Sequence, residues 1–434
     1  MSNERSGFSS RLGFVLATAG SAVGLGNIWR FPYLAAKYGG GTFLLIYLIL
    51  TLTFGFSLMI TEVALGRKAG TSAIRAFGHF SKKHTFIGYL TTIIPFIIFP
   101  YYCVIGGWVT KYALLSIQGG IHNAASDTFF TGFISKSAEP MICVLVFLIA
   151  TTVVVVGGVK GGVERVSTIM MPVLIVLLIG VSLFCITRPG AMAGVVYYLK
   201  PNLKGFSPTT ILAALGQLFY SMSLAMGIMI TFGSYMPKKA DLEKSVTQVE
   251  IFDTGVAFLA GLMIVPAVFA FSNGDSSMLA KGPSLMFVML PKVFDSMAFS
   301  GVIAAVFFIL VLLAALTSSI SLLETLVAVL MDKFHMKRGT ACITMFIIAL
   351  LLAVPSSLGF GAWSNITILG FDFLDFFDFI SNSVLMPIAA FLTCLFVGYI
   401  IKPKVIVDEV EALGNLRENH YSLLWLSILH QSAL

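Results

Sequence analysis

Long apolar runs separated by short polar connections make up almost the whole chain. The runs lie near residues 10–37, 40–67, 86–116, 140–157, 165–186, 208–236, 246–272, 299–331, 340–355 and 375–401. Each is near or above the ~20 residues that an α-helix needs to cross a bilayer. The pattern predicts an all-α polytopic membrane protein with about ten full spans. The connections of note are the polar segment 117–138, the segment 187–207, the Gly/Pro/Ser-rich segment 273–297 and the segment 356–374 with Asn365. After Lys402 a charged stretch leads to YSLLWLSIL, an apolar run of about nine residues that is too short to cross. It is either an interfacial helix or the start of an eleventh span.

Two of the runs are poor material for continuous helices. In the first, Gly20-Ser21-Ala22-Val23-Gly24-Leu25-Gly26-Asn27 carries three glycines, each costing about 1 kcal/mol of helix stability against Ala. Two structures satisfy it. One is a break at the bilayer midplane whose bare backbone groups hold something polar; the other is a glycine-rich helix packed closely on a neighbour. The sixth run has a similar interruption, Gln217 to Gly227, rich in Ser and Gly. Runs one and six each open a set of five. Interrupted segments at matching positions in two halves point to a 5+5 inverted-repeat fold with broken helices 1 and 6, the architecture of a secondary transporter. The division is then 1–9 as an N-terminal segment, 10–186 as the first five-span repeat, 187–207 as a connection, 208–401 as the second repeat and 402–434 as the charged stretch and short apolar tail.

Composition agrees: 58% of the 434 residues are hydrophobic and only 11% charged, against about 25% charged in soluble domains. The first residues, MSNERSGFSSR, are polar, and no cleavage site follows the first apolar run, so the first span serves as its own targeting signal. The net charge of +7 is a statement about topology. Basic residues gather in alternate loops, and about two-thirds of the Lys and Arg share the side of the N-terminus, which the positive-inside rule makes the cytoplasm. The connections 187–207, 273–297 and 356–374 are then extracellular. The five cysteines lie in apolar runs without a CxxC pair, and the six histidines lie in loops or the tail. Disulfides and metal clusters are not expected. With no HExxH or GxSxG either, the chain does not read as an enzyme. A channel would use continuous pore-lining helices with a ring of charge rather than two broken spans.

Arg11-Leu12-Gly13-Phe14, the GSAVGLGNIWRFPY run, Gly39-Gly40-Gly41-Thr42-Phe43, Glu62-Val63-Ala64-Leu65-Gly66-Arg67 and Ala315-Leu316-Thr317-Ser318-Ser319 together resemble the neurotransmitter/sodium symporter family. The likeness is closest to its bacterial amino-acid transporters and covers about residues 5 to 402. It implies Na⁺-coupled uptake by alternating access, with a substrate and two Na⁺ ions at the midplane of the bacterial inner membrane, in a monomer or weak dimer. The first Na⁺ site would resemble one built from the Ala22 carbonyl, Asn27, Ser221, Asp253 and the substrate carboxylate. The second would use carbonyls of Gly20, Val23 and Ala314 with the hydroxyls of Thr317 and Ser318. Na⁺ is a hard cation, and oxygens from helix breaks supply its ligands without burying a charge for each.

Asp253 departs from many family members, which have Asn there. A fixed negative charge beside the ion implies independence from chloride. The alternative for Asp253 is a helix cap or loop-facing position. Tyr102 matches the family tyrosine that holds the substrate carboxylate, joined by the amides of Leu25 and Gly26 at the start of a half-helix. Ser21, Ala22, Ile98, Tyr220, Ser221, Ser223, Met226 and Leu322, with Ser318 at the edge, would line the side-chain pocket. That lining is apolar with a few hydroxyls, so the implied substrate is a hydrophobic or aromatic amino acid with a free carboxylate. An amino-acid sensor without net transport, or a symporter of another small zwitterion, uses the same features.

The resemblance also implies two gates. On the outside, Arg30 would close on Asp378 with Gln217 beside them, Asp372 and Asp375 being alternative partners. On the inside, Arg5, Asp332 and Tyr235 match a cytoplasmic latch, with Phe8 where the family usually has Trp. Gly162 and Pro172 give a spacing that accompanies unwinding of the fifth span in relatives. Glu62 is expected to brace the break in the first span. Glu324 would contact the same region or carry a proton.

Overall fold

The computed structural model describes residues 7–202, 206–275 and 285–412. Arg5 and the short apolar tail lie outside the described residues. Among the described residues, eight helices are long and apolar enough to cross a membrane: Gly41–Ala69, Lys82–Ile117, Ala138–Val156, Val159–Ile186, Leu242–Phe271, Ser300–Phe334, Arg338–Leu358 and Phe373–Ile401. A ninth span is a bent pair, Arg11–Ala22 and Gly26–Lys37, whose axes differ by 52°. The tenth is likewise in two pieces, Pro208–Ser221 and Ile228–Tyr235, with six irregular residues between them. Each of the ten apolar runs thus corresponds to a helix or a helix pair among the described residues, numbered spans one to ten in chain order, and the first and sixth are the broken ones. Among the described residues the only β pairings are the isolated bridges Gly40–Pro201 and Ile368–Phe371.

Each break has a local cause. In span one the helix ends at Ala22, and Val23 turns to an extended conformation with φ −74° and ψ 100°. The chain re-enters helix through a wide turn at Gly26–Arg30. In span six, Ser223, Ala225 and Gly227 take left-handed backbone with φ of 53°, 61° and 73°. Glycine adopts that region freely, whereas Ser and Ala pay roughly 1–3 kcal/mol each and hold it only where the surroundings enforce it.

Among the eight unbroken spans, span three is the most enclosed, with 78% of its apolar window buried, and spans five and ten are the least, at 33%. Span three packs against spans four and eight, and span one lies against spans seven and eight. The outward faces carry Leu52, Val176, Leu212, Ile251 and Leu351, each at least 60% exposed; such a surface belongs in lipid. Span two runs against both halves of span six. Its contact with the second half is close because glycines replace side chains. A Cβ at Gly66 would strike the Ile230 carbonyl, and one at Gly233 would strike the Val63 carbonyl.

Alanine is the better helix former by about 1 kcal/mol, but here the collision is with backbone that cannot rotate away. Gly66→Ala and Gly233→Ala are therefore expected to destabilise by about 1–3 kcal/mol through overpacking, seen as lower thermal midpoints in detergent. Gly216→Ala, which meets nothing within 4 Å, should leave the midpoint unchanged or raise it. A Gly233→Ala chain as stable as the parent would contradict the close packing.

Candidate functional site

The two breaks face each other and tie together through their own bare groups. The Ser21 hydroxyl donates to Ser223 Oγ (3.2 Å), and Ser223 Oγ donates back to the Ser21 carbonyl (3.1 Å). Gln217 Nε2 donates to the Gly26 carbonyl (2.9 Å). Asn27 Oδ1 accepts from the Gly24 amide (3.1 Å). The amide and carbonyls that the glycine-rich stretch could not pair in a helix are thus met by side chains from the partner break and from the stretch itself.

Asp253 sits at the centre of one oxygen cluster. Its carboxylate accepts from Asn27 Nδ2 (2.7 Å), from the Ser221 hydroxyl (2.9 and 3.2 Å to the two oxygens) and from the Tyr47 hydroxyl (3.4 Å). Asn27 Nδ2 also reaches the Asp253 carbonyl (3.2 Å). Asp253 lies within the seventh span and is fully buried, which answers the alternative of a loop-facing acid. Tyr47 is not singled out by the sequence; the signal is a phenol hydroxyl within an apolar span, which needs a partner when buried.

A second oxygen cluster forms where span eight meets the break in span one. Ser318 Oγ lies 3.1 Å from the Ser21 carbonyl, 3.3 Å from that of Val23 and 3.5 Å from that of Gly20. Thr317 Oγ1 donates to the Ala314 carbonyl at 3.0 Å. Gly20 abuts Thr317 so closely that an added Cβ would come within 3.2 Å of its side chain. All five residues of the second expected site are brought together.

Between the clusters is a cavity lined by Ser21, Ala22, Leu25, Gly26, Ile98, Tyr102, Tyr220, Ser221, Ser223, Met226, Ser318 and Leu322, with Gly24 and Ile228 in addition. Every residue expected around a substrate lines it. Tyr102 is buried, and its hydroxyl makes no well-formed hydrogen bond.

The profile of the sodium:neurotransmitter symporter family matches residues 5–131 and 131–432. The chain belongs to that family. Among its relatives, the sodium-dependent transporter YhdH of Bacillus subtilis is 36% identical over 413 residues, spanning 94% of this chain and 91% of the relative. A sodium-dependent transporter of Haemophilus influenzae is 35% identical over 441 residues, 98% of this chain and 94% of the relative. The solved structure of MhsT in complex with L-phenylalanine superposes with a TM-score of 0.90 at 39% identity, covering 99% of this chain and 97% of that one. The molecule is a multi-pass membrane transporter that depends on sodium.

The chain is tightly knit where Phe8 and Ser9 meet spans five and six. Phe8 is 5% exposed and packs edge-on against Phe14, Phe232 and Tyr235. Its amide donates to the Tyr235 carbonyl at 3.0 Å. Next to it, Ser9 donates from its amide (2.8 Å) and hydroxyl (2.6 Å) to Glu164, at the first turn of span five. Asp332 accepts from the Ser72 amide (2.7 Å). Gly162 lies in a wide turn, Val159–Glu164, and Pro172 lies inside the helix that follows.

The opposite face holds a vestibule lined by Trp29, Arg30, Tyr33, Leu34, Ile105, Trp108, Phe130, Tyr220, Phe287, Phe360, Leu374, Asp375 and Asp378. Tyr220 lines both cavities. Arg30 and Asp378 share this vestibule but are not paired in this structure. The guanidinium lies over the Tyr220 ring, 5.0 Å from its centroid. Asp378 accepts from Asn382 (2.6 Å) and Tyr101 (3.3 Å). Asp375 also lines the vestibule, whereas Asp372 caps the helix Phe373–Asp378.

Two expectations for acids need correction. Glu62 braces a break, but the one in span six: its Oε1 accepts from the Ala225 amide at 2.9 Å. Span two packs along span six, so its carboxylate reaches that gap and not the one in span one. Glu324 supports neither break. It accepts from the Tyr235 hydroxyl (2.8 Å) and pairs with Arg338, which also donates to the Val155 carbonyl (2.8 Å). Glu62→Ala should therefore strand the Ala225 amide and cost about 1–3 kcal/mol. In amide hydrogen exchange, the loss of protection should centre on residues 222–228. Unchanged protection there would contradict the bracing role.

Proposed function

We propose that the chain is a Na⁺-coupled symporter that imports a hydrophobic or aromatic amino acid by alternating access, without need of chloride. The observation that carries this reading is that Ser221 belongs at once to the Asp253 cluster and to the cavity, with Ala22 in the cavity wall beside it. A carboxylate bound in the cavity then completes the coordination of an ion beside Asp253, so ion and amino acid bind together. Asn27, Ser221, Asp253 and the Ala22 carbonyl hold the first Na⁺. Thr317, Ser318 and the carbonyls of Gly20, Val23 and Ala314 hold the second. Tyr102 supplies a hydroxyl donor to the substrate carboxylate without adding a charge, and the half-helix that begins near Leu25 adds its positive end.

Ile98, Met226 and Leu322 give the side chain an apolar seat, and Met226 is unbranched and adaptable. The phenylalanine bound by MhsT supports an aromatic amino acid as substrate. Arg30 and Asp378, with Gln217, close over the bound amino acid from the vestibule side. Phe8, Tyr235 and Asp332 close the N-terminal side, which the distribution of Lys and Arg makes the cytoplasmic one. The repeats 10–186 and 208–401 rock against each other about the fixed site.

Thermal stabilisation by the twenty amino acids in Na⁺ or K⁺ tests this. Phenylalanine or another large apolar amino acid should raise the midpoint in Na⁺ alone, by the equivalent of about 2.7 kcal/mol at a hundred times its Kd. No Na⁺-dependent shift with any amino acid would refute the substrate class. Replacing chloride with gluconate should leave the shift intact. Asp253→Asn should raise the Na⁺ concentration needed by about tenfold, the equivalent of one charge-assisted contact.

A further inference from the structure

Arg67 ends the Glu62-to-Arg67 motif, and nothing in the transport site uses it. It is 2% exposed, an unusual place for a guanidinium. Its Nε donates to Glu409 Oε1 at 2.8 Å, its Nη1 to the Ala240 carbonyl at 2.9 Å and its Nη2 to the Glu409 carbonyl. Lys238 donates to the Arg67 carbonyl and lies 3.7 Å from the Glu409 carboxylate. Glu409 belongs to a short helix, Lys404–Glu411, that follows span ten. That helix is docked by Ile406 and Val410, 1% and 4% exposed and four residues apart on one face.

One guanidinium therefore joins three parts of the chain: the end of span two, the connection between spans six and seven, and the segment after span ten. Span two is also the arm that holds the break in span six. Glu62 and Arg67 are five residues apart on one helix, about 7.5 Å along its axis. The glycine contacts at Gly66 and Gly233 lock the second half of span six to the same helix. Any rotation of spans two and six that opens the N-terminal face must pull Arg67 away from Glu409, or carry the Lys404–Glu411 helix with it.

We propose that Arg67 and Glu409 are positioning residues of the transport cycle. Together they form a strap that holds the symporter closed on its N-terminal face and is released when that face opens. A buried pair of this kind favours one conformation because its partners are lost together in the other. The inference rests on alternating access and not on which amino acid is carried.

Amide hydrogen exchange on the purified full chain, in Na⁺ without amino acid, tests it. The reporters are the amides of Phe8 and Ser9, whose bonds go to Tyr235 and Glu164 and not to the strap. In Glu409→Gln these amides should exchange about fivefold faster, the lower end of coupling between distant sites, with Glu409→Asp restoring most of the protection. Ile406→Ser, which undocks the helix that carries Glu409 while leaving both charged side chains in the sequence, should act in the same direction. Faster exchange confined to residues 404–411, with Phe8 and Ser9 unchanged, would overturn the proposal. Uniform loss of protection across all spans in both variants would also overturn it, making the contact a folding requirement and not a gate.

Discussion

Backbone groups left bare inside an apolar interior are the constraint on which this structure turns. An unpaired amide or carbonyl buried away from water costs about 1–3 kcal/mol, and two interrupted spans expose several at once. Each interruption is held by side chains from elsewhere: Glu62 on Ala225, Gln217 on Gly26, Ser223 and Ser318 on Ser21. The breaks are stable only as part of this assembly. The carbonyl and hydroxyl oxygens that gather there are what a hard cation and a zwitterion require. The solution to a folding problem and the proposed coupling site are the same set of atoms.

The remaining polar contacts are dense on the face of Phe8 and sparse around the vestibule. Phe8, Ser9, Glu324, Arg338 and the Arg67–Glu409 pair knit the N-terminal side. On the other side Arg30 rests on the Tyr220 ring, while Asp378 is occupied by Tyr101 and Asn382. The symporter is thus poised with its cavity beneath the vestibule. In the proposed gate, Asp378 would exchange Tyr101 and Asn382 for Arg30.

Much of this was legible along the chain. Apolar run lengths located ten spans, and glycine and serine placement located both breaks. The cavity lining came from the family resemblance and not from periodicity, since Ile98, Tyr220 and Leu322 lie outside the motifs that carry it. What escaped were contacts between side chains on sequence-distant spans. Tyr47 reaching Asp253, Ser9 reaching Glu164 and Arg67 reaching Glu409 depend on which helix packs beside which. Periodicity does not encode that. Glu62 shows the same limit: its bracing role could be read, but the break it braces is chosen by the packing of span two along span six. Glu324 looked like a site acid because it is buried in a span. Its partners, Tyr235 and Arg338, lie 89 and 14 residues away in sequence.

The account stands or falls on whether a Na⁺ gradient drives the amino acid across the bilayer. Purified chain in sealed vesicles, given labelled phenylalanine, answers this. With Na⁺ high outside and K⁺ inside, the label should rise above its external concentration and then fall as the gradient decays, with or without chloride. Asp253→Ala vesicles should show neither phase. Accumulation that persists with K⁺ on both sides would contradict coupling to Na⁺. Na⁺-dependent binding without any accumulation would make the chain a sensor built on a transporter fold.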